Sequence, residues 1–344
     1  MTKEVIWIMW LCAGMFAVLL CFYIYLVIQK ALEIRYLKKF QERRIVIEPL
    51  LERFLSEESD LSALNNLSKL DLHVLKELLQ NYNQLFGDIA FQQRVRKIAL
   101  QKLTELFSQS LRSYRFSVRL NTLYAIEEFR MENLLPELKV KLDAGKLDQA
   151  ERFQIYRILA VLDDPDLFHY LTEQLTDFFP DYLYRELLIK LGDERFSEYV
   201  DRLSSLHKNL RYAVIDIIGI KADLFYLPIL ESIVQSEEKE LRIRAMKAIA
   251  RIGYMEDKQT IAAKAGSESW EERMMAAKVM GIVRWSGFLP CLQNLMSDSS
   301  WWVRTASAQS ILHYPGGTGL LQMIANSNED RYARDMAREW LEAM

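Results

Sequence analysis

Hydrophobic positions follow two regimes along this chain. The run from Val5 to Ile28, VIWIMWLCAGMFAVLLCFYIYLVI, carries no charge at all. Beyond it apolar residues recur every three or four positions, as in LDLHVLKELLQNY and QRVRKIALQKLTELF, which is the period of amphipathic helices. Glycine and proline number only 12 and 7 in 344 residues, too few for a sheet-and-turn architecture. The pattern predicts an all-α chain with one apolar helix in front of many amphipathic ones.

The first regime has the length of a membrane span. At ~1.5 Å per residue, a helix from Val5 to Ile28 covers about 36 Å, enough for a hydrocarbon core of roughly 30 Å with some tilt. Trp7 and Trp10 stand near one end and Tyr23 and Tyr25 near the other, where amphipathic rings favour the headgroup level. A cleaved secretory signal would need a shorter apolar run, a basic leader and a small-x-small site, whereas here Glu4 offsets Lys3 and bulky residues continue to Gln29. Lys30, Arg35, Lys38, Lys39, Arg43 and Arg44 follow the span, against Lys3 before it. The positive-inside rule therefore predicts a single-pass plasma-membrane protein with its N-terminus outside and its body in the cytoplasm. Residues 1–29 are assigned to the anchor and 30–49 to a basic juxtamembrane helix or stalk, whose six cations are the candidate contacts to anionic headgroups.

The second regime repeats itself. Arginines recur at Arg119, Arg152, Arg185, Arg211, Arg244, Arg273, Arg304 and Arg334, at intervals of roughly 26 to 33 positions. A period near 30 over most of a chain predicts an α-solenoid of stacked helix pairs. Residues 227–316 are the clearest stretch. Leu227-Pro228 and Leu289-Pro290 open first helices, where proline's missing N–H is tolerated. Polar turns follow (QSEE, GSES, SDSS), whose Ser and Asp are expected to cap a second helix beginning near the arginine. Alanines behind the arginine allow close helix approach, and glycine is expected to end each second helix. From Pro136 to Pro228 is close to three of these periods, and from Pro228 to Pro290 close to two.

The stretches Ile243-Arg244 through Gly253, Glu272-Arg273 through Gly281, and Val303-Arg304 onward resemble HEAT repeats, in particular the short PBS-lyase-like variety. The resemblance is good over 223–316, fair over 116–222 and 317–344, and poor over 50–113. It implies a right-handed solenoid of about seven repeats over 114–344, with 50–113 a divergent helical cap. It also implies that Arg244, Arg273 and Arg304 brace adjacent units through an acidic side chain or carbonyl. Membrane-anchored repeat proteins of this kind look bacterial.

Charge and chemistry narrow the function. Residues 1–45 carry a net +4, and the remaining 37 basic and 44 acidic side chains give −7, which opposes phosphate-backbone binding by the body. Cys12, Cys21 and Cys291 offer no disulfide framework. His73, His169, His207 and His313 are far apart and none has a partner at metal-ligand spacing, so no metal or other cofactor is expected. Asp163-Asp164-Pro165-Asp166 reads as a turn with a helix cap. Trp270 and Trp301 each precede a repeat arginine by three residues and are read as inter-repeat packing, while Trp302, Trp285 and Trp340 are the candidate interface residues.

These readings favour a membrane-tethered cytoplasmic scaffold that holds a partner protein, with no catalysis of its own. By resemblance, that partner would belong to a membrane-bound complex such as a glycosyltransferase or polysaccharide-export machine. An enzyme of the bilin-lyase or DNA-glycosylase type of HEAT protein is the alternative at fold level. A structural subunit stable only in its complex is a third reading.

Overall fold

A computed structural model describes residues 3–57, 64–173 and 179–343. Among them every regular element is helical. The chain divides into two compact units, Met1–Leu162 and Asp163–Met344. The first holds α1 (Lys3–Glu57), α2 (Lys69–Leu85), α3 (Ile89–Lys102), α4 (Thr104–Leu111), α5 (Phe116–Glu128), α6 (Leu135–Asp143) and α7 (Gln149–Val161). The second holds α8 (Asp166–Thr172), α9 (Asp181–Leu188), α10 (Asp193–Asp201), α11 (Lys208–Lys221), α12 (Leu227–Ile233) and α13 (Lys239–Ile252). It continues with α14 (Lys258–Lys264), α15 (Trp270–Val283), α16 (Leu289–Leu295), α17 (Trp301–Leu312), α18 (Gly317–Ser327) and α19 (Arg331–Glu342).

The apolar N-terminal run and the basic stretch after it form one helix with no break between them. α1 is 55 residues long, or about 80 Å at 1.5 Å per residue. Its side chains from Leu11 through Lys39 are exposed, and Phe40, Ile47, Leu51, Phe54 and Leu55 then turn into the core of the first unit against α2. From Ile28 to Phe40 the helix axis advances about 18 Å, which sets the distance of that core from the apolar segment. Ser68 and Asp71 form a capping box at the start of α2, and Arg43 on α1 donates to the same buried Asp71. Burial alone would push the Asp71 carboxyl up. The bonds from Arg43 and Ser68 outweigh it and hold it below the usual range.

In the second unit α9, α11, α13, α15, α17 and α19 pack side by side in chain order. α12, α14, α16 and α18 each pack against the helix that follows them, forming helix pairs. A 3₁₀ turn introduces the first helix at Leu224–Tyr226 and Ser286–Phe288, as at Glu132–Leu134 in the first unit, and proline then occupies the first helical turn. Tyr226, Phe288 and Leu134 are buried and fix the entry of each pair.

The repeat register differs from the one read in the sequence. The bracing position is the fourth residue of each second helix, occupied by Arg119, Arg152, Tyr184, Arg211, Arg242, Arg273, Arg304 and Arg334. Arg242, and not Arg244, is the equivalent of Arg273 and Arg304. From Arg211 to Arg334 the spacing then becomes nearly constant, at about 31 positions. Each of Arg242, Arg273, Arg304 and Arg334 directs Nη1 to the carbonyls six and five residues before it, at 2.6–3.2 Å. Arg119 does the same at Ser113 and Tyr114. The guanidinium thus ties down the polar turn that precedes its own helix. Tyr184 replaces it in α9, its hydroxyl accepting from the Phe179 N–H at 3.2 Å.

A second contact reaches the next unit. Arg119 holds Glu151 through two nitrogens at 2.7 and 3.0 Å, Arg242 holds Glu272, and Arg273 holds Asp298 at 2.6 and 2.9 Å. Glu151 and Glu272 are buried, and a buried carboxylate is tolerated only when paired in this way. At Arg304 the equivalent place in α19 is Ala333, and the guanidinium lies instead over the Tyr332 ring at 5.1 Å.

At the helix ends one expectation holds in a modified form and one is corrected. Ser269 and Ser300, the N-cap residues of α15 and α17, make no side-chain cap bond. The serine and aspartate of the same turns order the approach instead: Ser267 accepts from the Ser269 N–H, and Asp298 from the Ser300 N–H. Gly281 does not end its helix. It lies inside α15, where an added Cβ would stand 2.5 Å from the Ser310 Cβ, and Gly219 in α11 faces Ala248 as closely, at 2.8 Å from its Cα. Both glycines let neighbouring second helices approach. The helices stop at a left-handed residue eleven positions after the brace: Arg130, Asp163, Ala222, Gly253 and Arg284, of which Gly253 alone is glycine.

Candidate functional site

The expected brace Arg244 does link helices, from another place on α13. Its Nη1 donates to Asp216 of α11 at 2.7 Å and lies 2.9 Å from Asp181 of α9, while Nε holds Glu240 at 2.6 Å. Arg185 of α9, the other arginine outside the register, reaches the same Asp216 oxygen at 2.7 Å. Asp216 is buried, and the Arg244 guanidinium stacks over Tyr212 at 4.5 Å. This network ties α9, α11 and α13 together on the open side of the row.

That open side is the surface available to a partner. Its helix face repeats at offsets of −2, +5 and +9 from the bracing residue, since these positions fall within about 60° of one another at 100° per residue. At −2 stand Tyr182, Glu240, Glu271, Trp302 and Tyr332; at +5, Lys247, Lys278 and Gln309; at +9, Ile220, Arg251, Ile282 and His313. The aromatic members of the −2 row are all exposed.

The three tryptophans singled out in the sequence do not meet. Trp302, 57% exposed, sits in the first turn of α17 edge-on to Trp301, with ring centroids 4.9 Å apart. Trp285, 42% exposed, lies just past the end of α15, with its ring over Gly287 and edge-on to Phe288 at 5.0 Å. From Glu271, the counterpart of Trp302, to Trp285 the chain advances about 20 Å along the helix direction, which keeps the two tryptophans apart. Trp340 is half-buried on α19. Trp270 and Trp301, expected to pack between repeats, are 38% and 45% exposed at the first position of their helices.

Of the six cations that follow the apolar run, Lys30, Arg35, Lys38 and Lys39 are exposed on α1. Arg43 and Arg44 face α2 and are held by Asp71, Glu48 and Glu77. The acidic sequence at 163–166 is a turn: Asp163 accepts from the Gly192 N–H at 2.9 Å and Asp164 from the Asp166 N–H at 3.0 Å. Among the described residues there is no group of three or more His, Cys, Asp or Glu side chains placed to hold a metal ion. A cleft of about 390 Å³ between α16 and α18 is lined by Gln293, Asn294, Ser297, Ser327 and Asn328 beside Leu320 and Met323, a neutral surface without a nucleophile–base pair.

Sequence reasoning missed Arg242 and the cations of the +5 and +9 rows. The equal spacing of Arg211, Arg242, Arg273 and Arg304 is the signal that would have found the register. Residues 226–312 match the family model for HEAT repeats. No curated protein matches the sequence. Solved structures with a related course include an engineered protein, 14% identical over 82% of this chain and 97% of that one, with a TM-score of 0.34. Human deoxyhypusine hydroxylase in complex with glycerol is 16% identical over 80% of this chain and 100% of that one, with a TM-score of 0.29. Both likenesses are too distant to carry a function across.

Proposed function

We propose that this HEAT-repeat chain is a membrane-tethered scaffold that acts by holding a partner protein on the open face of its second helices. The observation that carries this reading is the face itself. Six neighbouring helices, braced from unit to unit, present exposed Tyr182, Trp302 and Tyr332 on a rigid surface, and aromatic side chains on a fixed backbone are what interface hot spots use. Tethering through residues 5–28 raises the effective concentration of the face toward any membrane-associated partner, so modest affinity suffices.

The anchor reading puts the N-terminus outside and the body in the cytoplasm, the orientation favoured by the excess of cations after the apolar run. α1 supports the anchor reading, because its exposed apolar part is long and apolar enough to cross a membrane. Docking on the repeats, without catalysis, is the activity assigned.

In-cell crosslinking of the full-length protein, followed by mass spectrometry, tests the scaffold. A specific membrane-associated protein captured by wild type and reduced in Trp302→Ala supports it. Capture of no protein above background overturns it. Trp302→Ala is expected to leave the melting temperature unchanged, so a large fall there would reassign the residue to packing. Topology is checked with a membrane-impermeant thiol reagent: in intact cells a cysteine replacing Thr2 should react and Cys291 should not.

A further inference from the structure

We infer that the far end of α13 and α15 is a binding site for an acidic, extended segment of the partner protein. This deepens the scaffold reading and rests on it. Lys247 and Lys278 occupy the same place on adjacent second helices, Arg251 lies one turn beyond Lys247, and Arg284 ends α15. All four are exposed. None has a carboxylate within ion-pair reach among the described residues, although Arg242, Arg244 and Arg273 in the same two repeats are all paired. Four unneutralised cations on a body of net charge −7 are a local inversion of the protein's field.

Apolar side chains adjoin the cations. Ile282 on α15 lies against Gly253, at 3.8 Å from the place a Cβ would take, so the ends of the two helices are neighbours. Tyr254 and Trp285 follow the left-handed residues Gly253 and Arg284 at equivalent positions and are 49% and 42% exposed. Lys258 stands over the Tyr254 ring at 5.9 Å. The neighbouring units do not continue the pattern: Asp216 is consumed by Arg185 and Arg244, and Gln309 replaces the lysine in α17. The charge is therefore confined to one pair of repeats.

The geometry sets the ligand's spacing. Packed helices lie about 10 Å apart, which separates Lys247 from Lys278 by a similar distance. A segment in the extended polyproline II conformation has three residues per turn and advances about 3.1 Å per residue, so carboxylates three residues apart share one face about 9 Å apart and reach both lysines. An apolar side chain in the same segment then rests on Ile282, Tyr254 and Trp285. A duplex or a membrane surface would need cations spread over a wider area than two repeats supply, and both Glu240 and Glu271 border this patch on the same face.

The test uses full-length protein in neutral phosphatidylcholine nanodiscs. The probe is a fluorescein-labelled dodecapeptide with glutamate at every third position and phenylalanine between, followed by anisotropy. Binding is expected in wild type, weakening with added sodium chloride. It should fall at least about tenfold in the K247E/K278E double variant and stay unchanged in K69E/K146E, which makes the same charge change on exposed lysines of the first unit. A matched peptide with lysine for glutamate should not bind. The proposal is overturned if the acidic probe fails to bind wild type, if K247E/K278E binds it equally well, or if a single-stranded oligonucleotide or phosphatidylglycerol vesicles bind more tightly than the peptide. In-cell crosslinking of the same variants separates the two levels. Partner capture that persists in K247E/K278E overturns this site and leaves the scaffold standing, whereas no capture even by wild type overturns the scaffold.

Discussion

Replacing Arg242 with methionine removes a charge that three neighbours depend on. Its Nη1 donates to the Ser236 and Glu237 carbonyls at 2.8 Å each, and Nε donates to Glu272 at 2.9 Å, with Nη2 on the same oxygen. The Glu272 side chain keeps only 2% of its exposure, so nearly all its water has been replaced by this guanidinium and the Ser267 hydroxyl at 2.8 Å. Methionine keeps the stem's packing and strands the carboxylate. Breaking one side of a buried pair costs about 3–5 kcal/mol. The two turn carbonyls regain water, which adds less than about 1 kcal/mol. The lower figure is expected, near 3 kcal/mol, because Glu272 escapes part of the cost by taking up a proton. At roughly 2–4 °C per kcal/mol for a unit of this size, the melting temperature should fall by about 6–12 °C.

The pH dependence identifies the cause. In the native chain burial would raise the Glu272 carboxyl, but Arg242 and Ser267 together hold it below its ordinary value. The pair thus contributes stability that is present above the unfolded value and lost as pH falls through the depressed one. In R242M burial dominates and the carboxyl rises, so the variant's deficit should shrink as pH falls from 7 to 5. Thermal unfolding of the detergent-solubilised full-length protein by circular dichroism reads both effects. Arg244→Met serves as the comparison, because Asp216 retains Arg185 there, and it should cost about 1–2 kcal/mol. Adding Glu272→Leu to R242M should recover most of the loss. If R242M lies within about 1 kcal/mol of wild type, or R244M is the more damaging, the revised register is wrong.

Other consequences follow from the same geometry. Ala222 ends α11 at φ 52°, and Ala222→Gly should stabilise by about 0.5–1 kcal/mol, visible as a higher melting temperature. Gly281→Ala places a methyl 2.5 Å from Ser310 and endangers its 2.8 Å bond to the Ala277 carbonyl, so a loss of about 1–3 kcal/mol is expected. His207, which accepts the Leu210 N–H at the start of α11, is held down to about 4 by burial and then by the Arg211 charge. Its native form binds fewer protons than the unfolded chain between pH 6.5 and 4, so stability should fall as pH drops through that window. His207→Asn, which keeps a cap, should flatten the decline, and an unchanged slope would exclude this histidine as its source.

The sequence alone determined the class of fold, because a helix's apolar period and a regular recurrence of arginine are written in residue order and need no neighbour to be read. It also marked the run from Val5 to Ile28 as one helix long and apolar enough to cross a membrane, because length and lack of charge are read directly from residue order. It marked Pro228 and Pro290 as first-turn residues for the same local reason. What it left open was which of two nearby arginines faces inward. Arg242 and Arg244 differ by two positions, about 200° around a helix, and only the position of Glu272 in the next unit decides which one is the brace. Gly281 was misread because a glycine near a helix end looks like a stop until Ser310 is seen pressed against it. Trp302 and Trp285 are both candidate interface residues in the sequence, and only the structure places one in the first turn of α17 and the other past the end of α15. Lys247, Arg251, Lys278 and Arg284 are ordinary lysines and arginines in the sequence, and only the structure shows that, among the described residues, no carboxylate pairs with them while Arg242, Arg244 and Arg273 beside them are paired.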